Sequence, residues 1–62
     1  MDIDIQGRIL EKLQTTGAAS VLELAEWLNC SETDIYLGLA PLRKHNLVKL
    51  REDGRWVVVV PK

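Results

Sequence analysis

Along this chain the spacing of apolar residues changes once, and that change leaves few folds open. Ile5, Ile9, Leu10 and Leu13 recur at helical intervals, as do Val21, Leu24, Ala25 and Leu28, and then Ile35, Leu39 and Leu42. Beyond Asn46 the spacing becomes that of strands: Leu47 to Leu50, then the β-branched stretch Arg55 to Val60. Three amphipathic helices followed by one hairpin are predicted, an α+β fold.

The residues between these segments fit that reading. The first helix is predicted from about Asp2 to Thr16, with Asp2 and Asp4 in a first turn whose dipole favours negative charge. Gly17 suits a left-handed cap. Ser20 and Glu23 have the spacing of a capping box, and Ser31 with Asp34 forms a weaker one. The third helix is predicted from about Glu32 to His45, kinked or broken at Pro41, which lacks a backbone donor and crowds the carbonyl of Leu37. Asn46 is expected as a left-handed cap. Glu52-Asp53-Gly54 lies between the strands, its Asp53-Gly54 a two-residue hairpin signal, and Pro61 stops the second strand.

Sixty-two residues allow one domain, spanning 1–62, with a core that buries only about 60% of the unfolded surface. Nothing in the sequence staples it. Cys30 is the sole cysteine, so no internal disulfide forms, and Cys30 with His45 is too few ligands for a metal site. The acidic start MDIDIQGR is unlike a secretory signal, and no apolar run is long enough to span a bilayer. A cytoplasmic protein is expected (nuclear in a eukaryote), with no membrane partner. One histidine supports no nucleophile–base constellation, and no glycine-rich phosphate loop is present, so neither an enzyme nor a cofactor or small-molecule substrate is expected.

Net charge is −1, but it is unevenly distributed. Residues 1–42 carry two basic and seven acidic side chains, a balance of −5. Residues 43–62 carry Arg43, Lys44, Lys49, Arg51, Arg55 and Lys62 against Glu52 and Asp53, a balance of +4. Such asymmetry points to a polyanionic partner as readily as to a solvated face.

The stretch VLELAEWLNCSETDIYLGLAPL and the following LRKHNLVKLREDGRWVVV together resemble the winged helix-turn-helix superfamily: two helices about a short turn, then a Leu-Val pair and a hairpin. The resemblance covers nearly the whole chain. It implies three helices plus a two-stranded antiparallel β-wing, with DNA binding as one of several functions the fold serves. It places Thr33, Tyr36, Arg43 and Lys44 on the outward face of the third helix, and Lys49, Arg51 and Arg55 on the wing. Trp56 behind LRKHNL also looks like the Z-DNA-binding subfamily. That subfamily's paired Asn and Tyr fall on Tyr36 and Ala40 here, and Glu32 replaces its basic helix start.

The leading end of the third helix departs from a base reader. Glu32 and Asp34 stand where phosphates would approach, and no Arg, Asn or Gln lies between 32 and 42 to pair with base edges. The first expectation is therefore a DNA-binding regulator, acting as a dimer, that contacts the phosphates of double-stranded DNA through Arg43, Lys44, Arg51 and Arg55. The alternative is a protein-interaction or dimerisation module using Trp27, Tyr36, Leu37 and Ala40, with Gly38 admitting another backbone. Trp56 is expected to close the core beneath the wing, and Trp27 is either a lid on the core or a contact anchor. His45 suits the helix C-terminus and Cys30 a small buried position. Val57 to Val60 needs cover from the first helix or from a second chain.

Overall fold

Each helix begins and ends where a local residue satisfies its unpaired backbone groups. The structure, a computed structural model, describes residues 4–60. In it, α1 spans Ile5–Thr16, α2 Val21–Leu28 and α3 Glu32–Lys44, and the strands β1 (Val48–Leu50) and β2 (Trp56–Val58) follow. Three helices followed by a two-stranded antiparallel hairpin form the expected α+β arrangement, consistent with a winged-helix layout. No helix among the described residues is long and apolar enough to cross a membrane.

α1 starts later than its sequence spacing predicts. Asp4 has non-helical angles (φ −119°, ψ 33°) and is the N-cap, so the first turn carries no acidic residue. Asp2 and Pro61 lie outside the described residues. At the other end Gly17 takes φ 90° and its amide donates to Leu13 O at 2.8 Å. α2 opens on the full capping box: the Glu23 amide donates to Ser20 Oγ at 3.2 Å, and the Ser20 amide donates to Glu23 Oε1 at 3.0 Å. α3 has only half of that device, the Asp34 amide donating to Ser31 Oγ at 3.2 Å.

Asparagine ends both α2 and α3 in the same way. Asn29 (φ 55°) and Asn46 (φ 60°) adopt left-handed backbone. Behind Asn29, the Cys30 amide reaches back to Ala25 O at 2.9 Å, and behind Asn46 the Leu47 amide reaches Leu42 O at 2.9 Å. This is the Schellman pattern, which turns the chain sharply while using the last carbonyls of the helix. Cys30 is half-buried, and its thiol donates to Leu28 O at 3.3 Å.

Pro41 neither breaks α3 nor divides it. The carbonyl that loses its donor belongs to Leu37, whose side chain is on the solvent side, and the ladder resumes with the His45 amide donating to Pro41 O at 3.1 Å. Inside the same helix Gly38 is buried against α1. A Cβ there would stand 2.6 Å from Ile9 Cδ1 and 3.3 Å from Ile5 Cγ2. The close approach that Gly38 admits is therefore α1 of the same chain.

The hairpin pairs Val48 with Val58, Lys49 with Val57 and Leu50 with Trp56. Its loop holds three residues, Glu52, Asp53 and Gly54, rather than two: the Gly54 amide donates to Arg51 O at 3.1 Å and the Arg51 amide to Arg55 O at 2.7 Å. Asp53 keeps negative φ while Gly54 takes φ 86°, so the two-residue mirror-image turn, which needs both positive, does not form. On the other side of β2, Ala19 and Trp56 exchange both backbone bonds, at 3.1 and 2.7 Å. That bridge ties the α1–α2 connection to the wing.

The core lies where the three helices meet the hairpin. Ile9, Leu13, Ala19, Leu24, Ile35, Leu39, Leu42, Val48 and Trp56 are all buried there. α1 contacts β2, and Val58 packs on the core beneath it, so the helix gives this strand part of its cover. Val60, two residues beyond the end of β2 and outside the strand expected to reach it, is 78% exposed.

Candidate nucleic-acid interface

Strand alternation decides which wing residues can face α3. Val48, Leu50, Trp56 and Val58 point to one side, and Lys49 and Val57 to the other. On the inner side Leu50 is half exposed and Trp56 is buried. Together with Tyr36, Leu39, Ala40, Arg43 and Lys44 of α3 they line an open groove between the helix and the wing. Its floor is apolar. Only Arg43 and Lys44 among its lining residues carry charge.

Arg43 crosses the groove, its guanidinium carbon 6.0 Å from the centre of the Trp56 ring. At this distance the ring face attracts the cation weakly and draws it toward the groove. Trp56 thus closes the core, as expected, and also supports a groove cation. Arg51 and Arg55 flank the loop. Arg51 is paired with Asp53 at 3.4 Å, both side chains about half exposed. Asp53 also accepts the Arg55 amide through its other oxygen, Oδ1, at 3.1 Å.

The seven residues expected to meet DNA are all exposed, but they do not form one cluster. Tyr36, Arg43 and Lys44 share the groove. Arg51 and Arg55 stand at the wing tip, and Lys49 projects from the wing's outer side. Thr33 lies in the first turn of α3 with Glu32 and Asp34. From Glu32 to Arg43 the helix rises about 16 Å. That exceeds the screening length of about 8 Å at physiological salt, so the acidic tip has little effect on an anion held at the basic end.

The residues of the alternative surface also divide. Leu37 (67% exposed) and Tyr36 (56%) share the outer side of α3 with Ala40, so Leu37 is not part of a wider core stripe. Trp27 lies outside the groove, at the edge of α2, with Lys12 Nζ of α1 6.0 Å from its ring centre. The sequence reading missed Leu50 and Leu39 as groove residues. The signal for Leu50 was its place opposite Trp56, which requires the strand register. No family model matches the chain, and no curated protein or solved structure matches it either.

Proposed function

We propose that this chain is a cytoplasmic winged-helix protein that binds double-stranded DNA as a transcriptional regulator, through phosphate contact rather than base reading. The observation that carries the proposal is the joining of Arg43 and Lys44 at the end of α3 to a wing bearing Arg51 and Arg55, with no carboxylate among the residues lining the groove. Arg43 and Lys44 bind phosphate at the groove, and Arg55 contacts the backbone from the wing, where Arg51 stands beside it paired with Asp53. The acidic first turn of α3 stays clear of the duplex. The test is an amide-shift titration with a generic duplex of about 16 base pairs at low and at high salt. Salt-sensitive shifts at Arg43, Lys44, Arg51 and Arg55 are expected; their absence at low salt rejects the proposal.

A second reading has its own observation. Tyr36, Leu37 and Ala40 leave an apolar patch on α3 where a DNA reader is normally polar, and such patches mark protein contacts, including contacts with a second copy. Leu37→Asp then abolishes partner binding and leaves DNA binding intact.

A further inference from the structure

Phosphate contact leaves the most unusual part of this face unused. A duplex presents sugars and phosphates to a surface that does not enter its grooves, and α3 offers no Arg, Asn or Gln between 32 and 42 for bidentate pairing with base edges. Yet the groove floor, formed by Leu39, Ala40, Leu50 and Trp56, is apolar and open, and the Tyr36 ring stands 56% exposed beside it. Duplex phosphates gain nothing from such a floor. The flat face of an unpaired base does, and its own phosphate then meets the cations at the same place. Arg43 already stands over an aromatic ring at the groove, and Lys44 is adjacent. Cations tracking a backbone beside a surface on which bases stack are what sequence-tolerant single-strand binding requires.

We infer that the groove between α3 and the wing takes single-stranded nucleic acid in preference to duplex, with a base stacked on Tyr36 over the apolar floor and its phosphate held by Arg43 and Lys44. This rests on the phosphate-binding reading above and narrows its ligand. Recognition is by stacking, so little sequence preference accompanies it.

The experiment compares a labelled oligothymidylate of about 16 nucleotides with the duplex it forms on annealing to oligoadenylate, by fluorescence anisotropy at one low salt concentration. The single strand is expected to bind about tenfold more tightly. Tyr36→Ala is expected to lower single-strand affinity about tenfold and so to erase the preference over duplex, while Tyr36→Phe, which keeps the ring, retains it. Tyr36 is more than half exposed, and circular dichroism of each variant establishes that the fold is kept. Equal affinity for the two ligands, or equal loss from both in Tyr36→Ala, overturns the inference and leaves the phosphate reading standing. No binding of either ligand overturns both. If an acidic amphipathic peptide binds the groove instead, with neither nucleic acid bound, the groove is a protein site.

Discussion

Gly38 is where two helices come closest to sharing space. Ile9, fully buried, presses its terminal methyl to 2.6 Å from where a Cβ would stand, and Ile5 crowds the same point. Helix propensity alone favours alanine at this position by about 1 kcal/mol. Overpacking a filled core costs about 1–3 kcal/mol, because side chains leave their preferred rotamers or the helices separate. The packing term is the larger. Gly38→Ala is therefore expected to lower stability by about 1 kcal/mol net in urea denaturation. A gain in stability means that Ile9 rotates away at no cost. The sequence did not disclose this: a glycine between Leu37 and Leu39 read as room for another molecule, and only the arrangement of α1 shows that the room is already taken.

At the scale of elements, α2 and α3 differ in how they begin, and the difference has a measurable size. Ser20 and Glu23 satisfy each other's amides, and the same segment carries Ala19, whose backbone pairs with Trp56. Ser31 supplies a single cap bond at an exposed site. Losing an N-cap serine costs about 1 kcal/mol on average. Ser20→Ala is expected at the upper end of the range, about 2 kcal/mol, and Ser31→Ala at the lower end, about 0.5 kcal/mol. Urea midpoints of the two variants test the order; equal losses show that the partial burial of the Ser20 cap adds nothing, since the amide at position 20 still donates to Glu23 in Ser20→Ala. These caps were legible from spacing, as were the helix stripes and the left-handed Asn46, because each depends on residues within about one turn. What spacing could not disclose depends on distant partners. Ala19 pairs with a residue far along the chain, the tolerance of Pro41 follows from the exposure of its turn, and the groove requires Leu50 to be registered against Trp56 and both to be set beside α3.

Across the whole molecule the charges separate by position rather than by amount. The net charge of −1 describes neither end: the first turn of α3 is acidic, while Arg43, Lys44, Lys49, Arg51 and Arg55 gather on its last turn and the wing. If the proposed DNA contact is made, the structure also says how many of these cations count. Lys49 faces away from the groove, and Arg51 is held by Asp53, which leaves Arg43, Lys44 and Arg55. Each phosphate neutralised contributes about −0.9 to the slope of log affinity against log salt, so a slope of about −3 is expected for duplex. Asp53→Asn separates charge from structure. The amide oxygen can still accept from the Arg55 backbone, as Oδ1 does now, so the turn is kept, while Arg51 loses its ion pair. That variant is expected to bind duplex more tightly and to steepen the slope by about one, with a fourth cation engaged. Arg43→Gln combined with Lys44→Gln is expected to flatten it by about two. Anisotropy titrations at several salt concentrations read all three slopes. If Asp53→Asn leaves both affinity and slope unchanged while the groove variant flattens it, Arg51 takes no part, and the phosphate contact belongs to Arg43, Lys44 and Arg55.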